Sequence, residues 1–306
     1  MRVAIVGMGT QGGKRCAVAG EEVAATVDPL VPQADYRSIH QVPLDSFDAA
    51  LVCAPDSEKL SLLDYLLSRE KHVLVEKPLL GTVEQLSHLA KLAHSNKVTC
   101  YTAYNHRFEP HIGQLKQVLE ENRIGKPYVA RFFYGNGTAV DVRNSGWRDS
   151  GAGVLSDLGS HLLDMAIFLF GQLDDGITSW SFNCFENRTF DHVLFGMTGG
   201  IPVLEFEATL LSWCNSFTID VLGELGSIHV DGLCKWGPSK FAVRTRVFPS
   251  GHPAEEVYTL EQADPTWKLE YEHFKVLCHD HVLDFDRDIL IGGLLSQLAH
   301  KSGVML

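Results

Sequence analysis

Three side chains in this sequence carry groups able to move a proton on and off an oxygen: Lys77, Asp157 and His161. An imidazole titrates near working pH and is an efficient base for a hydroxyl proton. A lysine ammonium beside the same oxygen stabilises developing alkoxide charge, or takes the proton itself where burial lowers its pKa. Asp157 and His161 stand four apart, a spacing that puts them on one face of a helix, near an N-terminus whose dipole favours an ionised carboxylate. Lys77 lies in Glu76-Lys77-Pro78 at the end of a strand-like run from His72 to Glu76. Open parallel sheets present their ligand-binding groups at such strand ends. The residues alone leave open whether Lys77 or His161 takes the proton.

A second set of residues has the pattern of a phosphate cradle. Gly7-Met8-Gly9-Thr10-Gln11-Gly12 follows a strand, Val3 to Val6, and opens a helix. In that context the first glycine permits a tight turn, the second lets backbone approach a pyrophosphate, and the third lets helix and strand pack closely. The helix N-terminus adds amide donors and partial positive charge. Asp28 ends the second strand, where a carboxylate accepts hydrogen bonds from both ribose hydroxyls and repels a 2′-phosphate. The next basic residue is Arg37. NAD is therefore expected in preference to NADP.

The elements that must position these groups alternate in type over the first hundred residues. Strand candidates are Val3 to Val6, Val23 to Asp28, Ala49 to Ala54, His72 to Glu76 and Val98 to Thr102, the signature of parallel strands joined by crossover helices. Leu60, Leu63, Leu66 and Leu67 share one helical face, as do Val83, Leu86, Leu89, Ala90 and Ala93, and the second of these helices opens with a Thr82-x-x-Gln85 capping box. Residues 28–48 are too short of helical pattern for a full crossover, so the second β-α-β unit is trimmed; Ser38 to Val42 reads as a short strand. After Tyr104 come a helix from His111 to Asn122, a strand from Tyr128 to Tyr134, a glycine turn at 151–153 and a helix from Ser156 to Phe170. From Thr178 to Leu260 the pattern is mostly strand, clearest where Leu204, Phe206, Ala208 and Leu210 alternate with Glu205, Glu207 and Thr209. Helices near Trp267 to His281 and Asp284 to His300 follow. The expected architecture is an α/β Rossmann domain, residues 1–103, followed by an α+β domain, residues 104–306, with a large, mostly antiparallel open sheet for substrate binding and oligomerisation.

Composition bounds the partners. The chain has 306 residues, 45% hydrophobic and 21% charged, with 26 Lys and Arg against 38 Asp and Glu, a formal charge of −12. That balance repels nucleic acid. No run reaches the roughly 18 consecutive apolar residues of a membrane span, and no leader-like segment precedes Val3, so a cytoplasmic address is expected. Seven scattered cysteines without a C-x-x-C pair read as buried free thiols. Cys278-His279-Asp280-His281 lacks a second ligand pair, so no metal is expected. Phe217 to Leu222 reads as a strand apolar on both faces in places, which calls for a covering partner and hence a homodimer or homotetramer through the second-domain sheet.

The motifs taken in order resemble the glucose-fructose oxidoreductase, inositol dehydrogenase and rhizopine catabolism (Gfo/Idh/MocA) family. The resemblance is carried by Gly7 to Gly12, Ala54-Pro55-Asp56, Glu76-Lys77-Pro78, the run from Tyr104 to Pro110, and the run from Gly151 to Asp164. It implies hydride transfer between NAD and a hydroxyl carbon of a small polyhydroxylated substrate, a sugar, cyclitol or nucleotide sugar. Lys77 would touch cofactor and reacting oxygen, and Asp157 and His161 would match the family's Asp-x-x-x-His pair. Ala54, Pro55, Glu76 and Asn105 would join the cofactor contacts, and Tyr104, Arg107, Trp147 and Arg148 the substrate contacts. Lys59 departs from the family pattern, which often has His there. Two other uses of such a scaffold are a glycosidase or epimerase that retains NAD, which steady NADH release would exclude, and a non-catalytic regulatory protein, against which the joint presence of Lys77, Asp157 and His161 speaks.

Overall fold

A computed structural model describes residues 1–146, 148–171, 173, 176–282 and 285–303. They group into two compact units, Met1–Asn105 with Pro265–Gly292, and His106–Asp264 with Gly293–Leu306. The sequence boundary after residue 103 lies close to the first division, but residues 265–292 group with the N-terminal unit.

The first unit is built on five parallel strands, β1 (Val3–Val6), β2 (Val23–Val27), β3 (Ala49–Val52), β4 (His72–Glu76) and β5 (Cys100–Ala103), in the order β2-β1-β3-β4-β5. The strands read as nearly continuous apolar runs because both faces are covered. On one face Ala4, Val6, Ala50, Val52, Val73 and Val75 meet Leu63, Leu66 and Leu67 of α2 (Asp56–Ser68) and Leu86, Leu89 and Ala93 of α3 (Val83–Asn96). On the other, Val3, Ile5, Ala49, Leu51 and Leu74 meet Tyr271, Phe274 and Cys278. Those three residues belong to a later helix, and this packing is why that segment groups with the first unit. The capping box of α3 forms as expected, with Gln85 N donating to Thr82 Oγ1 at 3.2 Å and Thr82 N donating to Gln85 Oε1 at 2.9 Å.

After β2 the crossover is indeed cut short. Ser38 to Val42 is not a strand: Ile39–Gln41 forms a single 3-10 turn capped by Ser38, an isolated parallel bridge joins Val27 to Tyr36, and Ile39 and Val42 pack into the core. The Ser38 and Gln41 side chains satisfy local amides and turn the backbone back before it can extend.

The second unit opens with a 3-10 turn at Asn105–Phe108 and α4 (Pro110–Glu120), then carries an eight-stranded sheet. Its strands are β6 (Pro127–Gly135), β7 (Ile177–Asn183), β8 (His192–Met197), β9 (Val203–Thr209), β10 (Ser216–Gly223), β11 (Gly226–Asp231), β12 (Ser239–Thr245) and β13 (Ala254–Leu260), in the order β13-β12-β11-β10-β6-β9-β8-β7. The β6–β9 pair is parallel and the others are antiparallel. Between β6 and β7 lie α5 (Ala139–Arg143), a π-helical turn at Leu155–Gly159, and α6 (Ser160–Phe170). The chain ends with α7 (Thr266–Asp280), the source of Tyr271, Phe274 and Cys278, and α8 (Phe285–Lys301).

One sheet face is apolar, with Phe132, Phe195 and Phe206 stacked at 5.0–5.2 Å. The other carries cross-strand polar pairs: the ion pairs of Arg131 with Glu205 at 2.8 Å and Arg244 with Glu255 at 2.7 Å, and a hydrogen bond between His229 and Asp220 at 2.5 Å. Each pair sits directly opposite in register. From Phe217 to Leu222 the strand alternates, with Leu222 on the same face as Thr218 and Asp220. Phe217, Ile219 and Val221 are buried, while Thr218 and Asp220 point to the polar face.

The cysteines are free thiols, but Cys184 and Cys214 are exposed rather than buried. Among the described residues no helix is long and apolar enough to cross a membrane, and no group of three or more His, Cys, Asp or Glu is placed to hold a metal ion.

Candidate active site

The glycine turn leaves β1 at the point where strand order reverses between β1 and β3, the crevice in which open α/β sheets bind ligands. Gly7 has φ +93° and a Cβ there would lie 2.6 Å from the Cys53 carbonyl oxygen; a Cβ on Gly12 would overlap the Gly7 carbonyl. Nothing lies within 4 Å of where a Gly9 Cβ would stand. This open space lies before α1 (Thr10–Ala19), whose N-cap is Gly9 and whose first-turn amides, at Thr10, Gln11 and Gly12, have no side-chain cap. Two glycines are thus required by close packing and the third leaves room, which fits a pyrophosphate drawn to uncapped amides.

Asp28 follows β2, and its carboxylate accepts from the amides of Met8 at 2.8 Å, Leu30 at 2.8 Å and Val31 at 3.0 Å. Partial burial works against the charge, but these three amides outweigh it and hold the carboxyl below its usual range. Asp28 therefore braces the glycine turn besides offering a carboxylate. Arg37, nine residues on, folds back to donate to Val31 O at 2.8 Å, and its charge acts on Asp28. The sequence distance made it look remote. Across the turn, Ala54 is half-buried and Pro55 is the N-cap of α2.

Lys77 follows β4, half-buried, with a cis peptide to Pro78. Its two neighbours are tied down. Glu76 accepts from Arg15 Nε at 2.8 Å and Nη2 at 2.7 Å, and Arg15 Nη2 also meets Glu270 at 2.7 Å under the ring of Trp267. Pro78 O accepts from Lys59 Nζ at 2.8 Å, a buried ammonium that also pairs with Asp56 at 2.6 Å. Burial lowers the Lys59 pKa in spite of that pairing. Glu76 thus anchors the strand end through one carboxylate oxygen, Oε1. Arg15 and Lys59, which hold the loop, were not identified as functional from the sequence.

Two further residues of the first unit have other engagements than expected. Asn105 Nδ2 donates to Thr266 Oγ1 at 2.7 Å, and Tyr104, 1% exposed, packs its ring 5.9 Å from the Arg287 guanidinium.

In the second unit Asp157 and His161 fall on either side of a junction. Asp157 lies in the π-helical turn and His161 in the first turn of α6. The π-turn carries one more residue per turn than an α-helix at this junction, and such turns are frequent at functional sites. Gly153, φ +53°, is required just upstream, since a Cβ would press into Phe190 O.

His161 is 7% exposed and stacked on His106, with ring centroids 4.2 Å apart and planes at 20°. Tyr134 at the end of β6 lies 6.0 Å from His161 and 5.8 Å from Trp236. Burial, and then the negative charge of Asp157, push the Tyr134 phenol well above its ordinary pKa, so it stays protonated. Lys235 Nζ reaches His106 Nε2 at 3.2 Å. The 3-10 turn carrying Lys235 and Trp236 is fastened by buried Glu109, which accepts from Cys234 N at 2.8 Å. Burial and the Glu109 charge push the Cys234 thiol up to about 12.

Arg107 closes its guanidinium fork on Asp164, Nε to Oδ2 at 2.8 Å and Nη2 to Oδ1, clamping the Asn105–Phe108 turn to α6. Its Nε and Nη2 serve that clamp. Arg148 is half-buried on the turn after α5, with its amide donating to Ser145 O. Trp147 lies outside the described residues. His106 and Tyr134 had weak signals in the Tyr104 to Pro110 motif and in the inward parity of β6; Lys235 and Trp236 had none.

Comparison with known proteins agrees with the fold. A family model described as an oxidoreductase family, NAD-binding Rossmann fold, matches residues 1–104, and the Gfo/Idh/MocA C-terminal domain model matches residues 112–229. Myo-inositol 2-dehydrogenase of Thermotoga maritima is 29% identical over 146 residues, 45% of this chain and 40% of that protein. Glucose-6-phosphate 3-dehydrogenase of Bacillus subtilis is 27% identical over 132 residues, 42% and 38%. The chain thus spans about two fifths of the length of the curated relatives it matches. In fold, it is similar to levoglucosan dehydrogenase in complex with NADH, with TM-score 0.84 and 16% identity over 99% of this chain and 97% of the other. It is also similar to UDP-N-acetylglucosamine 3-dehydrogenase from Acidithiobacillus ferrooxidans, with TM-score 0.80 and 17% identity over 97% and 96%.

Proposed function

Because the chain belongs to the Gfo/Idh/MocA oxidoreductase family and its first domain is that family's NAD-binding Rossmann fold, we propose that it is an NAD(H)-dependent dehydrogenase or reductase of a sugar, cyclitol or nucleotide sugar. The observation that carries this reading is the placement of Lys77 at the C-terminal end of β4, on the same sheet edge as the open Gly9 turn. NAD, when bound, supplies the hydride acceptor or donor. The chain's own residues then have three tasks. The Gly7 to Gly12 turn and Asp28 hold the dinucleotide. Lys77 stabilises negative charge on the reacting oxygen. His161 takes the hydroxyl proton, with Asp157 orienting the ring or the substrate.

The test begins with a thermal-shift panel of sugars, cyclitols and nucleotide sugars with NADH present, since a ligand that binds only the native state raises Tm. Single-turnover NAD reduction with the hit follows. Lys77→Ala and His161→Asn should each lower the rate by about two to four orders of magnitude while the proteins stay folded. Near wild-type rates in Lys77→Ala would overturn the site; such rates in His161→Asn alone would transfer the proton to Lys77.

The protein is further proposed to act as a homodimer or homotetramer in the cytoplasm, joined through the polar sheet face. Trp180, 42% exposed and lying over Gly196, supports this, because with Phe133 and Leu194 it puts apolar surface among the cross-strand ion pairs. A monomeric mass by light scattering at micromolar concentration would contradict it.

A further inference from the structure

Lys235 and His106 have a geometry that bears directly on His161. Lys235 Nζ stands 3.2 Å from His106 Nε2. An ammonium has three donors and no acceptor, so this hydrogen bond requires the lone pair of the imidazole on Nε2. With Lys235 donating, the form that fits is a neutral ring with its proton on Nδ1. His106 and His161 are buried, at 3% and 7% exposure, and stacked 4.2 Å apart. Two imidazolium rings at that spacing repel, so the pair takes up one proton at a time and titrates as a unit.

The surroundings bring charge of both signs. Lys235 approaches from the Cys234–Trp236 turn, and Asp157, in the π-helical turn, brings negative charge to Tyr134 beside the pair. Tyr134 of β6, 5.4 Å from His106 and 6.0 Å from His161, is held protonated, and Phe217 of β10 covers His106 at 6.1 Å. Glu109 spends its acceptors on Cys234 and so fixes the turn that aims Lys235.

We propose that Lys235 acts through His106 as a tautomer lock: it keeps His106 neutral with its proton on Nδ1, so that the stacked pair takes up its proton on His161. Both are positioning residues. The inference rests on the reading of His161 as proton acceptor, and its test separates the two.

The experiment uses the full chain labelled with 15N-histidine and records long-range 1H–15N ring correlations from about pH 6 to 8. His106→Gln and His161→Asn assign the two rings. In the wild type, His106 should show the neutral Nδ1–H pattern throughout, while His161 gains the proton as pH falls. Lys235→Met should give His106 mixed tautomers or a charged ring, and Lys235→Arg, which also donates without accepting, should restore the Nδ1–H pattern. Circular dichroism checks that each variant is folded. A wild-type His106 with its proton on Nε2, a charged His106, or a pattern unmoved in Lys235→Met overturns the lock. If the lock is seen but His161→Asn turns over at the wild-type rate, the reading of His161 as acceptor fails instead.

Discussion

Arg15→Met tests whether the strand end carrying Lys77 is held by a buried ion network. Arg15 is 1% exposed and Glu270 is fully enclosed, and the Arg15 fork reaches Glu270 and Glu76 at 2.7 Å each. Burial disfavours the guanidinium charge, yet Glu270 and Glu76 more than offset it and hold its pKa above the ordinary value. Substitution removes the cation and leaves a carboxylate without solvent at Glu270. Breaking a buried pair by removing one partner costs about 3–5 kcal/mol. Set against a total stability of about 5–15 kcal/mol, that is a large loss. Replacing both partners, Arg15→Met with Glu270→Met, should recover most of it, because no buried charge is left at α7; Glu76, whose side chain is 12% exposed, can reach water. Urea denaturation followed by circular dichroism measures each variant. A loss below about 1 kcal/mol in Arg15→Met, or a double variant no more stable than the single, would refute the reasoning.

Asp28→Asn should destabilise by about 1–3 kcal/mol at neutral pH, since Asn keeps only one acceptor oxygen and its NH2 group then faces either the Met8 amide or those of Leu30 and Val31. The folded-state pKa of Asp28 is lowered, so its stabilisation is present above the unfolded value of about 3.9 and is lost as pH falls through the folded value; the variant and wild type should converge there in urea titrations. NADH should bind more tightly than NADPH by fluorescence titration because of Asp28. Arg37→Ala should widen that preference, since it removes the cation that partly offsets Asp28; equal or tighter NADPH binding in the wild type would sink the assignment.

The elements around the nucleotide end were legible because their causes are local. The five strands are apolar runs of four or five residues, and the α3 capping box is set by Thr82 and Gln85 themselves. The trimmed crossover after β2 could be read from its composition, whereas its 3-10 turn, which depends on where the Gln41 amide swings, was taken for a strand. At Leu155–Gly159 the sequence reading continues one α-helix from Ser156, whereas the chain makes a π-turn there before α6 begins at Ser160. The stacking of His106 on His161 joins residues 55 apart, and the Lys235 bond spans 129 positions. No local pattern encodes either.

Residues of the motifs also hold the scaffold together. Glu76 and Arg107 lie in motifs that read as binding residues, and both are ionisable groups at expected positions. In the folded chain Glu76 is held by Arg15, and Arg107 by Asp164, at 2.7–2.8 Å. A charge already satisfied by a buried partner has little to gain from a ligand, because binding would first have to break a charge-assisted pair. A motif therefore marks both the groups that do chemistry and the scaffold that aims them. Partner geometry tells them apart: Arg15, Lys59, Glu109 and Arg107 aim the loops and turns that carry Lys77, Lys235 and His106, and their removal should act on how those groups are held.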